Sequence, residues 1–489
     1  MTNGLRERFG ESLLLAGLGV LAVMVPLVPF RYLTFPASLP GLLTPALRHA
    51  PTAVCLLVAL LWVYLGARRL DGQGGGMRTL PGELPLLAPV TGMLLAGLLS
   101  AAGARQPLPS VARTVYYFMT GGLLYLVVVS RRGTRVPGIL LMCLLGAGYA
   151  VAAYGVIEAV AGANPLFGGL IHDASDAYRR LIPDPWFESR ITATIGHPVA
   201  LGAYVALLLP VSLAASVAAS SWRQRILLGA GAVLLFTALL LTYTRGAWVA
   251  GVAGSAVFIL RLERRHAFAV PLMLALGAVV LLAAGHAGIR TRVVQRVTAA
   301  YEEYGRSFGR TTRGAGYGYV ASIAAEQPLT GLGTGMYRFT AYELRRKLAI
   351  PTPVGVLDTP DNMYLMWLAE NGFLGLVAGV YLLVGLWSRF WRRSSAGRER
   401  VVAAGMLGAV VALVVNMLSV DALYFPVVRP VFWLLAGSGV ALADGSLNVN
   451  PEEGRSTEIT AERQRHRQTQ TPRTGERKAD SGGNRLSAG

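Results

Sequence analysis

The sequence predicts an all-α, polytopic membrane protein with about 12 transmembrane helices. Of its 489 residues, 53% are hydrophobic and only 15% are charged. The apolar residues come in blocks of about 20, the length that a helix needs to cross a hydrocarbon layer. Short arginine-containing connections separate many of the blocks. A soluble protein of this composition would expose more apolar surface than water tolerates.

The first predicted helix follows Arg6 and Arg8, as the apolar segment of a signal peptide would. It lacks a clear small-x-small cleavage site, so we expect it to be retained. The predicted helices lie near residues 12–30, 51–66, 84–103, 110–129, 137–161, 198–219, 226–243, 246–260, 267–286, 364–387, 401–420 and 426–443.

The placement of charge predicts the topology. Each even-numbered predicted helix up to the tenth is followed by a short basic connection, which the positive-inside rule assigns to the cytoplasm. These connections begin with Arg68, Arg131, Arg223, Arg261 and Arg389. Both termini are then cytoplasmic, and the long connections 162–197 and 287–363 face outward. We therefore expect the working surface of the protein to be the large loop on the non-cytoplasmic side.

The outer loop 287–363 and the C-terminal tail differ in character. The loop carries ten basic and six acidic residues, and 287–330 has the spacing of amphipathic helices beside arginines. We expect a transmembrane domain over 1–445 and a disordered cytoplasmic tail over 446–489, because the tail has few apolar residues. Its arginines could alternatively touch anionic lipid.

Other kinds of function find little support in the sequence. Cys55 and Cys143 lie inside apolar blocks, which argues against a disulfide framework or a thiolate metal site. There is no zinc motif, Ser-His-Asp pattern or dinucleotide fingerprint. We predict no metal, no cofactor and no nucleic-acid partner, so the net charge of +19 points to membrane lipids or phosphate groups.

Three arginines fall at the predicted outer face: Arg190, Arg245 and Arg313. Guanidinium groups bind phosphate oxygens in pairs, so converging arginines suit a diphosphate substrate. Each could instead extend to lipid headgroups or pair with a neighbouring acid. Arg245 is the strongest candidate, because a tight turn between two spanning helices would hold it at the membrane surface.

Glycines at 331, 333 and 335 mark a turn after Pro328. The turn could present backbone N–H groups to an anion, or it could be an ordinary turn. It is not a Walker motif, because no Gly-Lys-Ser/Thr follows.

The entry into the tenth predicted helix supplies the remaining candidates. Asp361 could cap the helix or accept a proton from an incoming hydroxyl. Asn362, Tyr364 and Glu370 follow, and the Glu370 carboxylate must face the bundle interior or a water-filled cavity. His197, at the outer rim, could bind substrate, although such a histidine is more often a cap or a hydrogen-bond partner.

Four segments together resemble the O-antigen ligase and polymerase superfamily over roughly residues 185–380. They are Arg190-Ile-Thr-Ala-Thr-Ile-Gly-His-Pro-Val, Tyr243-Thr244-Arg245-Gly246, Tyr319 with Pro328-Leu329-Thr330-Gly331-Leu332-Gly333, and Asp361-Asn362-Met363-Tyr364-Leu365 with Glu370, Gly372 and Gly375. Family ligases carry histidine at the position of Asp361, and the two family asparagines correspond to His197 and Val199. These departures weaken the case for a ligase in the strict sense.

The resemblance implies a membrane glycosyltransferase. Such an enzyme moves a glycan from undecaprenyl diphosphate to a lipid or glycan acceptor during cell-surface polysaccharide assembly. Arg190, Arg245 and Arg313 would hold the diphosphate, and Asp361 would activate the acceptor in an inverting, metal-independent displacement. The alternatives are a transporter or flippase for an anionic or lipid-linked sugar, which often shows inverted repeats, and a scaffold that recruits partners through its tail.

Overall fold

The computed structural model describes residues 2–27, 43–71, 84–165, 190–262, 312–341, 359–392 and 397–445. Within these ranges all regular structure is helical, as the composition predicts. The predicted helix 267–286, the tail 446–489 and most of the two outer loops lie outside the described residues.

Thirteen α-helices cover most of the described residues. They are α1 (Thr2–Leu27), α2 (Leu43–Asp71), α3 (Leu87–Ala102), α4 (Pro107–Met119), α5 (Gly122–Val129), α6 (Val136–Ala161), α7 (Pro198–Ala218), α8 (Trp222–Leu241), α9 (Arg245–Arg261), α10 (Thr312–Glu326), α11 (Met363–Arg392), α12 (Arg398–Asn416) and α13 (Val428–Gly445). A 3₁₀ turn, Ala422–Tyr424, precedes α13.

Eleven of the twelve predicted segments coincide with these helices. The segment 110–129 is interrupted between α4 and α5. By length and composition, six stretches in the described part of the chain can cross a membrane: 107–129, α6, α7, α8, α11 and α12. The total of twelve spans therefore stays a prediction.

Helix α7 lies at the centre of the described bundle. It packs against α8, α9 and α12, and almost all of its residues are buried. Small residues let α9 and α12 approach closely, as is usual between helices in membranes. A Cβ atom built on Gly254 would lie 2.4 Å from the carbonyl oxygen of Gly408.

Helix α11 is broken at Gly372, whereas the sequence predicts a continuous helix. Gly372 has φ 61° and ψ −161°, a conformation that is essentially restricted to glycine. The N–H groups of Phe373 and Leu374 therefore turn away from the carbonyls of Ala369 and Glu370, their partners in an unbroken helix.

The segment 328–333 replaces the two hydrogen bonds that the break removes. Leu332 N and Gly333 N donate to the carbonyls of Ala369 and Glu370, both at 2.9 Å. Phe373 N donates to Pro328 O at 2.8 Å, and Leu374 N donates to Leu329 O at 3.3 Å. Non-helical backbone within a spanning segment is tolerated only where its polar groups find such partners.

Candidate functional site

Arg190 is fixed to the turn that precedes Arg245. Its Nε donates to Thr242 O at 2.9 Å, and its Nη2 donates to Thr244 Oγ1 at 2.8 Å. Thr242, Tyr243 and Thr244 form the whole connection between α8 and α9, and Arg245 is the first residue of α9. The tight turn predicted before Arg245 is therefore present, and Arg190 lies directly against it.

The start of α9, directly after this turn, contacts the connection that follows α12. A Cβ atom built on Gly246 would lie 2.0 Å from Ser419 Oγ, so the start of α9 and Ser419 are in close contact. Arg245 itself is half-buried at this junction. Position 246 is therefore occupied by glycine at a point where a side chain would collide with Ser419.

Asn362 also contacts the connection that follows α12. Its Nδ2 donates to Leu418 O at 3.1 Å, while the backbone N–H of Met363 donates to Met417 O at 2.9 Å. Residues 417–419 thus link the N-terminus of α11 to the N-terminus of α9.

The helix cap at the start of α11 is Asn362 rather than Asp361. The Asn362 Oδ1 accepts hydrogen bonds from the backbone N–H groups of Tyr364 and Leu365, at 3.0 and 3.1 Å. Asp361 precedes the cap, is half-buried, and accepts a hydrogen bond from Thr359 Oγ1 at 3.1 Å. The cap of α11 is thus supplied by Asn362.

His197 serves as the N-cap of α7. Its Nδ1 accepts a hydrogen bond from Ala200 N at 3.3 Å, and its ring packs against Phe425 with a centroid separation of 5.5 Å. Thr244 Oγ1 also lies 3.3 Å from Pro198 O, so the cap adjoins the turn that holds Arg190. His197 therefore has the cap role that is the commoner one for a histidine at the outer rim.

Arg313 lies in the first turn of α10, and its side chain is outside the described atoms. Helix α10 packs against α11. A Cβ atom built on Gly316 would lie 3.8 Å from the Cα of Pro360, the residue before Asp361. The backbone therefore places Arg313 less than one helical turn from a residue that contacts this site.

Glu370 lies at the break in α11 and is 1% exposed, so it faces the bundle interior as predicted. Its Oε1 accepts a hydrogen bond from Tyr337 N at 3.3 Å, and Ser100 Oγ donates to its carbonyl at 2.5 Å. Tyr364, in the first turn of α11, donates a hydrogen bond from its hydroxyl to Val414 O of α12 at 3.0 Å.

The amides of the glycine turn find partners within the protein, and the Gly335 N–H interacts with the Glu370 carboxylate. Leu332 N and Gly333 N donate to α11, Gly331 N donates to Gln327 O at 3.0 Å, and Met336 N donates to Gly333 O at 3.0 Å. The glycines are required because Gly331, Gly333 and Gly335 all have φ between 64° and 104°. The turn is structural, and it completes the broken helix.

Residues with unusual backbone geometry are concentrated in the segments that carry Arg190, Arg245 and Asp361. Four described non-glycine residues have positive φ, and three of them are Ala193, Tyr243 and Asp361, with φ of 48°, 50° and 49°. Such conformations cost free energy and persist where the surroundings impose them, often at functional sites. In the described ranges, no group of three His, Cys, Asp or Glu residues is arranged to hold a metal ion.

Several residues of the site were not singled out by the sequence analysis. Thr242, Ser419 and Phe425 belong to the site because of contacts between distant segments, and a single sequence does not reveal such contacts. Glu158 is different, because an acid within the apolar segment 136–161 is a functional candidate by default.

Residues 230–380 match the O-antigen ligase family model. The predicted resemblance to the O-antigen ligase and polymerase superfamily is confirmed by this match. The match includes the turn before Arg245, the glycine turn and the residues from Asp361 to Gly375, whereas Arg190 and His197 precede it. No curated protein matches the chain.

The O-antigen ligase match supports a membrane glycan-transfer role in polysaccharide assembly and a glycosyltransferase-like enzyme. The family implies a lipid-linked glycan and a lipid or glycan acceptor. Together with the candidate spans, it fits a bacterial inner membrane. The geometry suits such a reaction, because residues 417–419 contact both the start of α9, which carries Arg245, and Asn362, which follows Asp361.

Proposed function

We propose that the protein transfers a glycan from an undecaprenyl-diphosphate-linked donor to a lipid or glycan acceptor on the periplasmic side of the inner membrane. One observation carries the proposal. Arg190 bonds to the turn before Arg245, and residues 417–419 contact both the start of α9 after that turn and the cap beside Asp361.

The arginines bind the donor diphosphate. Arg190 and Arg245 supply fixed positive charge, and Arg313 adds to it from the first turn of α10. As the bond between the anomeric carbon and the diphosphate breaks, negative charge grows on the leaving oxygen, and preorganised guanidinium groups stabilise it. Because these groups provide the positive charge that the leaving group needs, the proposed transfer is metal-independent.

Asp361 acts on the acceptor. Its carboxylate takes the proton of the acceptor hydroxyl while the hydroxyl oxygen bonds to the anomeric carbon. The electron pair of the broken bond leaves with the diphosphate, so direct displacement inverts the anomeric configuration. Asn362 and Tyr364 hold the start of α11, His197 holds the start of α7, and Glu370 anchors the backbone at Tyr337.

The proposal is tested by substituting each end of one helix. Arg245 begins α9 and Arg261 ends it, where Arg261 packs over the Trp391 ring at 4.4 Å and donates to Trp391 O. In a deletion strain complemented at equal membrane abundance, Arg245→Ala should lose most glycan transfer, whereas Arg261→Ala should retain it.

The accumulated glycans identify the class of protein. Unattached or shortened polymer on donor lipid is expected for a transferase. Accumulation of single lipid-linked units on the cytoplasmic side would indicate a flippase, and unaltered surface glycan in Arg245→Ala would contradict the role of this arginine.

A further inference from the structure

Glu158 is a buried carboxylate in the last turn of α6, with 7% of its surface exposed. Its position is costly in two ways. Burial of a carboxylate away from water is unfavourable unless hydrogen bonds replace the lost solvation. A negative charge near the C-terminus of a helix is also opposed by the helix dipole. A residue kept under these conditions needs strong local partners.

Most of those partners come from the segment that carries Arg190, and the Asn164 side chain, shortly after α6, adds another. The Thr192 N–H lies 3.1 Å from both carboxylate oxygens, and Thr192 Oγ1 donates to Oε1 at 3.0 Å. The Ala193 N–H donates to Oε2 at 2.6 Å. Both oxygens therefore accept hydrogen bonds from Thr192 and Ala193, which lie two and three residues after Arg190.

The hydrogen bonds act where the backbone is least favourable. Ala193 has φ 48°, a left-handed conformation that is unfavourable for a residue with a Cβ atom. Its N–H is held by Glu158, and its carbonyl accepts from Asn164 Nδ2 at 2.9 Å. Asn164 Oδ1 in turn accepts from the Tyr154 hydroxyl. The left-handed turn is thus held at both of its backbone polar groups.

Arg190 lies two residues before Thr192, where this turn begins. Arg190, which lies N-terminal to the turn, bonds to Thr242 and Thr244. Beyond the turn, the chain enters α7 at its cap, His197. We propose that Glu158 is a positioning residue of the glycan-transfer site: it fixes the turn at Thr192–Ala193 and so holds Arg190 against the connection between α8 and α9. This inference rests on the proposed function of Arg190.

The test substitutes Glu158→Gln, which keeps the size of the side chain. The glutamine Oε1 can still accept from Thr192, but its NH₂ group would face the Ala193 N–H, and two donors cannot bond to each other. Tyr149→Phe is the matched control, because Tyr149 lies on the same helix and its hydroxyl is hydrogen-bonded to Ser212 at 2.7 Å, away from this turn.

Two measurements are made on the full-length protein. The first is amide hydrogen exchange in residues 190–196, which reports the turn without requiring activity. It should accelerate in Glu158→Gln and remain unchanged in Tyr149→Phe. The second is glycan transfer, which should fall roughly 10- to 100-fold in Glu158→Gln, as expected when a site residue is misplaced by about 1 Å. Glu158→Asp, which keeps the carboxylate, should recover part of both signals.

The double variant Glu158→Gln/Arg190→Ala separates the inference from the proposed function. If Glu158 acts through Arg190, transfer in the double variant equals that of Arg190→Ala alone. Unchanged exchange in Glu158→Gln, additive losses in the double variant, or an equal loss in Tyr149→Phe would overturn the positioning role. If exchange accelerates but Arg190→Ala itself transfers normally, the proposed function of Arg190 fails, and the inference that depends on it fails too.

Discussion

Gly331 and Gly372 lie in direct backbone contact across the break in α11. A Cβ atom built on Gly331 would lie 2.6 Å from Ala369 O and 2.8 Å from Gly372 N. One built on Gly372 would lie 2.3 Å from Leu329 O. Neither position leaves room for a methyl group, and both have positive φ.

Gly372→Ala should therefore destabilise the protein. The forbidden conformation alone costs about 1–3 kcal/mol, and displacement of the segment 328–333 adds to this cost. The expected result is a lower Tm in detergent and reduced membrane abundance. Gly318→Ala is the control, because Gly318 lies in α10 and, among the described residues, no atom beyond its own stretch of helix lies within 4 Å of its built Cβ. A Tm equal to wild type in Gly372→Ala would show that the helix need not break there.

Thr244→Val should reduce glycan transfer with little effect on folding. The substitution keeps the shape of the side chain but removes the acceptor of the Arg190 Nη2 hydrogen bond. A hydrogen bond to a charged group contributes about 1.5–3 kcal/mol, which corresponds to a loss of at least tenfold in rate if it is expressed in the transition state.

Thr237→Val provides the comparison on the neighbouring helix. The Thr237 hydroxyl donates only to Val233 O within α8, so its removal should leave transfer near the wild-type rate. Equal rates for the two valine variants would argue that the Arg190–Thr244 contact has no part in the reaction.

Asp361→Asn should abolish most transfer while the protein remains folded. Asparagine tolerates the left-handed φ of 49° and can still accept from Thr359 Oγ1, but it cannot take up a proton. Loss of a general base lowers rates on the order of 10²–10⁴-fold. Single-turnover transfer with purified lipid-linked donor would measure this effect.

Thr359→Val isolates the hydrogen bond to Asp361 from the carboxylate itself. It should lower transfer by about tenfold or less, since one neutral donor is lost. Asp361→Asn with wild-type single-turnover rates would rule out proton transfer to this residue.

Asn362→Asp and Asn362→Ala should separate the two roles of the cap. Aspartate keeps the oxygen that caps α11 but cannot donate to Leu418 O, whereas alanine loses both. Loss of a cap costs about 0.5–2 kcal/mol, so only Asn362→Ala should show a clearly lower Tm. Both variants should transfer glycan slowly if the link to residues 417–419 matters. Full activity in Asn362→Asp would limit Asn362 to capping.

The sequence predicted most helices because apolar blocks bounded by arginines are local signals. Helices α6 and α7 begin within a residue of the predicted positions for this reason. The break at Gly372 was not predictable in this way. The residues around it continue the apolar pattern, and the partner that stabilises the broken form lies some forty positions earlier in the chain.

The candidate site was predictable in part for the same reason. Arg190, Arg245 and Asp361 were found as polar residues at the ends of apolar blocks. The connection of the Arg245 and Asp361 segments through residues 417–419 depends on packing between distant helices, which a single sequence does not reveal. Glu158 did leave a mark, as an acid in an apolar helix, and only its partners at Thr192 and Ala193 required the structure.

The exchange of hydrogen bonds at the break in α11 has a consequence for biogenesis. Alone in a bilayer, residues 363–392 would close both bonds within the helix, because lipid offers no other partner for Ala369 O or Phe373 N–H. The broken form thus arises only when 328–333 docks. Release of this helix from the translocon is then followed by a maturation step, in which a segment synthesised earlier opens the inserted helix and takes over its hydrogen bonds.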